Sequence, residues 1–299
     1  MLKQRRLIID IGTNSVLSLL VDIDGNKLSI ISDRKKTTKL GEGLVKSRKL
    51  KPEAIKRTIE AVAEFKNSDQ YDKLCLLGTE ALRIAENSAS FSKALKEAIG
   101  CEPVILSGSK EAELSFLGAI YNLNVDQSRN FLIDVGGGST ELVAAHSGVI
   151  IDSVSVPIGA LKLKESCRSD TLLAYQGIAE DALDAAIAGF HGIPYGTILA
   201  TGGTITSVAA IKLDTGRFDV DQIHGLTLER DDLLETAARF EMANKQERLS
   251  LIPYDPDRAD LILPGLGIFL AIMGIIGQES LVVSVGGIRF GAALYPQKI

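Results

Sequence analysis

Three short segments of this 299-residue chain combine glycine with small polar residues at the end of an apolar run. Asp10-Ile11-Gly12-Thr13-Asn14-Ser15 follows Leu7-Ile8-Ile9, and Asp134-Val135-Gly136-Gly137-Gly138-Ser139-Thr140 follows Phe131-Leu132-Ile133. Ala200-Thr201-Gly202-Gly203-Thr204 follows Thr197-Ile198-Leu199. Glycine-rich turns expose backbone N–H groups and let a phosphate approach them closely. The hydroxyls of Thr13, Ser15, Ser139 and Thr140 add donors, and Asp10 and Asp134 sit where an acid beside phosphate holds Mg²⁺. One such turn is a common hairpin. Two copies, each with its acid, read as a phosphate site. The third turn reads as a tight strand–helix turn by itself, and as a wall of a phosphate or nucleotide pocket beside the other two.

Other chemistries are disfavoured. No GxxxxGK[ST] or GxGxxG pattern follows a strand, which argues against P-loop and Rossmann sites. His146, His191 and His224 are far apart, and Cys75, Cys101 and Cys167 lack metal-ligand spacing. A histidine zinc site and a Ser-His-Asp triad are therefore not expected, and the cysteines read as reduced thiols. A net charge of −5 with no Trp argues against nucleic acid as a partner.

These turns must be held by an α/β scaffold. Strands are expected at 7–10, 16–21, 27–31, 73–78 and 104–106, with a hairpin turn at Asp24-Gly25-Asn26. Helices are expected at 52–65, 90–99 and 109–121, the first with Pro52 in its opening turn. The strand–turn–strand pattern then restarts at Phe131 and continues into a second hairpin around Ser147-Gly148, an internal duplication. This places a domain boundary near Asp126, giving domains 1–125 and 126–299. The apolar stretch 261–277 is interrupted by Pro264 and glycines and falls short of the ~20 residues of a membrane span, so it reads as a buried helix. The N-terminal apolar run is too short for a signal peptide, so the protein is expected to be cytoplasmic, with no membrane partner.

The three turns, in this order, resemble the phosphate-1, phosphate-2 and adenosine motifs of the actin-like ATPase superfamily. Within it, nearly the whole chain resembles the exopolyphosphatase/guanosine pentaphosphate phosphohydrolase (Ppx/GppA) family. Besides the turns, the resemblance is carried by Leu40-Gly41-Glu42-Gly43-Leu44, Ala81-Leu82-Arg83 with Asn87, and Ser107-Gly108 with Glu111-Ala112. Asp134 through Leu142, Pro157-Ile158-Gly159-Ala160, His224-Gly225 and Arg258-Ala259-Asp260 complete it. The resemblance implies two actin-like (ribonuclease H-like) α/β domains with mixed five-stranded sheets flanking a cleft. It implies Glu111 as general base and Glu141 as a second acid orienting water or metal. By the same carry-over, Asp10, Asp134 and Glu141 would be metal-linked, with Mg²⁺ or Mn²⁺ as cofactor. Gly12, Thr13, Asn14, Ser15, Arg83, Gly136, Gly137, Gly138, Ser139, Thr140, Gly202, Gly203, Thr204 and Arg258 would bind phosphate. A homodimer is compatible with the resemblance.

Four positions depart from the family pattern. Leu17 stands where Arg or His is frequent, Lys110 where Glu is common, Glu113 where Arg is usual, and Phe290 where an acid is usual. A basic segment, 34–57, carries ten basic side chains against Glu42 and Glu53 in an otherwise acidic chain. It reads either as a solvated loop and helix face or as a landing surface for a polyanion. The expected function is release of terminal orthophosphate from polyphosphate by metal-assisted water attack. Chains without the helical extension of longer family members are expected to favour shorter polyphosphates. Alternatives are a guanosine pentaphosphate phosphohydrolase, a kinase on the same fold, and a non-catalytic sensor of polyphosphate or alarmone.

Overall fold

The computed structural model describes residues 4–25, 27–190, 192–193, 195–214 and 216–299. Asn26 of the expected hairpin turn, His191 and Met1 to Lys3 lie outside the described residues. The chain forms two compact units. The first comprises 1–118 together with 288–299, and the second comprises 119–287. The division thus falls a few residues before the polar stretch at Asp126, and the last twelve residues return to the first unit.

In the first unit, β1 (Gln4–Ile11) and β2 (Ser15–Asp24) form the hairpin closed by the first glycine turn, and β3 (Lys27–Thr37) extends it. Two further strands, β4 (Lys73–Gly78) and β5 (Val104–Ile105), add in parallel beyond β1, giving the order β3-β2-β1-β4-β5. Leu7, Ile9, Ile11, Val16 and Leu20 meet Val62 and Phe65 of the helix Pro52–Asn67 and Phe91 and Leu95 of the helix Ser88–Ile99 in one core. The C-terminal helix Ile288–Leu294 packs on β1 and β2. Its Gly291 lies so close to Leu114 of the helix Gly108–Ala119 that a Cβ there would sit 2.0 Å from the Leu114 carbonyl oxygen.

The second unit repeats this plan. Strands β6 (Arg129–Val135), β7 (Thr140–His146) and β8 (Val149–Val156) form the antiparallel part, and β9 (Thr197–Thr201) joins β6 in parallel. The sheet has six strands rather than the expected five. The short β10 (Thr227–Glu229) pairs antiparallel with β11 (Ser280–Val283), which itself lies parallel to β9. Duplication extends to irregularities. The register shifts at Leu20/Val21 on β2 and at the equivalent Ala144/Ala145 on β7, and in each first turn a glycine N–H bonds a serine carbonyl: Gly12 to Ser15 and Gly136 to Ser139, both at 3.0 Å. A β-bulge kept in both copies twists each hairpin alike.

The apolar stretch forms the helix Ile262–Ile276, buried from Ile262 to Met273 within the second unit's core. It is apolar enough to resemble a membrane span, but it packs against the helix Leu172–Ala188. Its glycines allow close approach to that helix and to the helix Gly203–Leu213. A Cβ on Gly267 would lie 2.7 Å from the Tyr175 Cβ, and one on Gly265 would lie 2.1 Å from the Thr204 hydroxyl.

Candidate active site

In the first unit, the turn after β1 is clamped from outside. The Thr38 and Lys39 N–H groups donate to the Asn14 carbonyl at 3.1 and 2.8 Å, and the Gly41 N–H donates to the Thr13 carbonyl at 2.8 Å. Gly41 is required there, because a Cβ would fall 2.3 Å from the Thr13 methyl. Thr13, Asn14 and Ser15 are buried, and Asn14 Nδ2 donates to the Ser15 hydroxyl at 3.1 Å.

Glu111, on the first turn of the helix Gly108–Ala119, is buried and ion-paired. Arg83 Nη1 donates to Glu111 Oε2 at 2.8 Å and to the Leu106 carbonyl at 2.9 Å. The guanidinium thus fixes the carboxylate's direction through a charge-assisted bond. Arg83, expected to bind phosphate, and Glu111, expected as general base, are brought together as an ion pair. Glu80, not singled out from the sequence, is 3 % exposed and accepts the Thr13 hydroxyl at 3.3 Å. Its only sequence signal is an acid directly ahead of Ala81-Leu82-Arg83, where a strand ends and a helix begins.

Two of the family departures explain each other. Lys110 Nζ lies 2.9 Å from Glu113 Oε2, so the pair is present with its charges exchanged. Glu113 also pairs with Lys298 near the C-terminus, and these lysines hold its carboxyl below the usual range.

In the second unit, the turn Gly136-Gly137-Gly138 is clamped in the same way by Gly159-Ala160-Leu161. The Ala160 N–H donates to the Gly136 carbonyl at 3.0 Å, and the Leu161 and Lys162 N–H groups donate to Gly137 at 2.9 and 3.1 Å. A Cβ on Gly159 would lie 2.5 Å from the Gly137–Gly138 peptide. Strand register puts four polar residues side by side across β8, β7, β6 and β9: Ser155, Glu141, Asp134 and Thr201. Directly opposed residues share a sheet face. Glu141 is buried and accepts the Ser155 hydroxyl at 2.7 Å, a partner that only the register reveals. The matching row of the first sheet is Lys35, Leu17, Asp10 and Leu77, so Leu17 occupies the position that Glu141 holds in the second copy.

The third turn joins this row. A Cβ on Gly202, whose φ is +102°, would lie 2.4 Å from the Val135 carbonyl and 3.3 Å from Asp134 Oδ1. Over Gly203 lies the Arg258 guanidinium, held by Asp255 at 3.0 Å and occupying the space a side chain would need. Gly202, Gly203, Arg258, Asp134 and Glu141 are thus gathered at one end of the second sheet. Thr140 and Thr204 are not available to a ligand in the same way. The Thr140 hydroxyl donates to the Ile158 carbonyl at 2.6 Å, and Thr204 is buried against Gly265.

Among the described residues, no group of three or more His, Cys, Asp or Glu side chains is arranged to hold a metal. The neighbouring pair Asp134 and Glu141 offers only hard oxygen donors. That suits Mg²⁺, which keeps several waters and binds through one or two carboxylates plus substrate phosphates.

The basic segment divides. Arg34 and Lys36 continue β3 and pair with Asp69 and Glu64; Arg34 also stacks 5.3 Å over Phe65. Lys51 and Arg57 flank Glu42 at 3.6 and 3.4 Å, and Arg48 pairs with Glu86 at 3.1 Å. Lys56 pairs with Glu60 at 3.9 Å, so at least six of the segment's ten cations engage the first unit's own acids.

Residues 19–295 match the sequence profile of the Ppx/GppA phosphatase family. Exopolyphosphatase 2 of Mycobacterium tuberculosis is 28 % identical over 272 residues, covering 85 % of both chains. A crystal structure of an Aquifex aeolicus Ppx/GppA family member is 27 % identical and superposes with a TM-score of 0.81 over 99 % of this chain and 98 % of that one. An exopolyphosphatase structure from Cytophaga hutchinsonii, 19 % identical, shares the fold at a TM-score of 0.88 over 98 % and 97 % of the two chains. With the duplicated turns and the arginine-held Glu111 in place, this chain belongs to the Ppx/GppA phosphatase family and is a hydrolase of phosphoanhydride bonds.

Proposed function

We propose that this protein releases terminal orthophosphate from inorganic polyphosphate by attack of a water that Glu111 deprotonates. The observation that carries this reading is the 2.8 Å bond from Arg83 to Glu111. It orients a buried carboxylate on the unit that carries the first phosphate turn. Phosphoryl transfer needs positioning and charge neutralisation more than a protein nucleophile. The backbone N–H groups of both glycine turns would bind phosphoryl oxygens, and Arg258 would add positive charge at the third turn. Asp134 and Glu141 would hold Mg²⁺ or Mn²⁺, which when bound neutralises phosphate charge. Ser155 holds the Glu141 carboxylate in direction. A cytoplasmic setting belongs to this proposal.

Guanosine pentaphosphate is the second reading. It is favoured by the half-exposed Phe218, whose ring lies 6.0 Å from Tyr254. The Tyr254 hydroxyl donates to the Ser207 carbonyl on the helix that follows the third turn, at 3.0 Å. Such an aromatic pair offers a surface on which a purine base stacks.

Phosphate release from tripolyphosphate, long polyphosphate, guanosine pentaphosphate and ATP, with Mg²⁺ and with chelator, tests both. Metal-dependent release from polyphosphate, reduced at least about a hundredfold in Glu111→Gln, is expected. Preference for guanosine pentaphosphate would select the second reading. Binding of polyphosphate without release would overturn hydrolysis in favour of a sensor.

A further inference from the structure

We propose that Glu80 is a positioning residue for this reaction, retaining the Thr13 hydroxyl hydrogen and thereby limiting how tightly the first turn grips a phosphoryl oxygen. The proposal rests on the polyphosphate hydrolase reading above. Glu80 is 3 % exposed and opens the short helix Glu80–Ile84 at the end of β4. The start of that helix is stitched to β1, because the Thr79 N–H donates to the Ile11 carbonyl at 3.4 Å. Thr13 lies in the phosphate turn and donates its hydroxyl to Glu80 Oε2 at 3.3 Å.

A hydroxyl has one hydrogen to give, and a carboxylate is a strong competitor for it. An arriving phosphoryl oxygen must take that hydrogen from Glu80 or do without it. The Thr13 rotamer supports this direction. Its methyl fills the space beside Gly41 where a Cβ would come within 2.3 Å, so packing holds the methyl there and leaves the hydroxyl on the Glu80 side. Three residues along the same helix, Arg83 holds Glu111. Residues three apart share a helix face. One helical turn thus touches the phosphate turn through Glu80 and Glu111 through Arg83.

The test uses tripolyphosphate with Mg²⁺ and measures KM and kcat separately for wild type, Glu80→Gln, Thr13→Val and the double variant. A neutral amide competes less for the hydroxyl, so Glu80→Gln is expected to lower KM about fivefold. That gain should vanish in the Thr13→Val background, where no hydroxyl remains. Thr13→Ser provides an independent arm should Glu80→Gln fail to fold. Without the methyl, its hydroxyl turns freely, and KM is again expected to fall. A KM change of equal size with and without the Thr13 hydroxyl, or an unchanged KM in both Glu80→Gln and Thr13→Ser, overturns the proposal while leaving the hydrolase reading intact. If wild type releases no phosphate from tripolyphosphate, the hydrolase reading falls and takes this proposal with it.

Discussion

Two roles are open to Arg83. The family resemblance implies that it binds phosphate, whereas its Nη1 is occupied by Glu111 and the Leu106 carbonyl. The two roles separate kinetically. A substrate contact made equally in ground and transition states shows in KM, and a positioning contact shows in kcat. Arg83→Lys keeps the charge but loses the rigid planar guanidinium whose Nη1 is fixed between the Glu111 carboxylate and the Leu106 carbonyl. We expect kcat to fall about 10- to 100-fold with KM within about twofold. Steady-state kinetics on tripolyphosphate decide it, and a raised KM at unchanged kcat would return Arg83 to phosphate binding. At this scale the sequence was only partly informative. Asp10, Asp134 and the glycines stand out because their types are unusual at the ends of apolar strands. Glu80 and Ser155 do not, because an acid at a helix start and a serine in an edge strand are ordinary until register and burial place them against Thr13 and Glu141.

Each glycine turn is held by a separate clamp, 38–41 on the first and 159–161 on the second, and the clamps work only at backbone contact distance. Gly159 isolates this effect. Its φ is −147°, which any residue adopts, so a substitution there meets steric conflict and no left-handed strain. Gly159→Ala is expected to destabilise by about 1–3 kcal/mol through overpacking against the Gly137–Gly138 peptide, and to reduce phosphate release. Gly177 is the matched control. It lies in the exposed face of the helix Leu172–Ala188 with nothing within 4 Å of a new Cβ, so Gly177→Ala should stabilise by about 1 kcal/mol. Opposite shifts of the urea midpoint are the expected result; equal shifts would remove the clamp argument. The repeated strand–turn–strand unit was legible because it recurs with its acid and glycines. Less legible was the length of β3, whose Arg34, Lys35 and Lys36 read as loop. Charged residues suit an edge strand, where one side of the ladder faces solvent. The edge strand β10 is only three residues long and carries no periodicity of its own. The return of 288–299 to the first unit is set by Gly291 against Leu114, a contact between residues too far apart in the chain for local pattern to report.

The chain passes between its two compact units twice, at 118–119 and 287–288, and the second unit ties both crossings together. The Ser284 hydroxyl donates to the Ala119 carbonyl at 2.8 Å, and the Gly286 N–H donates back to that hydroxyl at 3.1 Å. His224 completes the knot: its Nδ1 accepts the Val285 N–H at 3.3 Å while its Nε2 lies 3.2 Å from the Tyr121 carbonyl. That arrangement needs a neutral ring with the hydrogen on Nε2, since a protonated Nδ1 cannot accept. Burial lowers the His224 pKa, against the opposing pull of the Tyr121 and Asn122 carbonyls. The unfolded chain therefore binds the proton more readily than the folded one, and stability rises with pH across that interval. The contribution is complete above about pH 6.5, the unperturbed value, and is lost as pH falls through the lower folded value. A second loss follows in stronger acid. Burial raises the Asp170 pKa, but bonds from Tyr175 and Arg248 and the charges of Lys164 and Arg248 bring it down to about 2. Its stabilisation is present above about pH 4, the unfolded value, and disappears as pH approaches its folded value. Of these two steps, the His224 step is the one that falls between pH 7 and 5. Hydrogen exchange should therefore accelerate, after correction for intrinsic rates, in peptides spanning 119–122 and 284–287. In His224→Gln the same peptides should exchange at a pH-independent corrected rate. If the wild-type acceleration is absent, or persists unchanged in the variant, His224 does not govern the crossings.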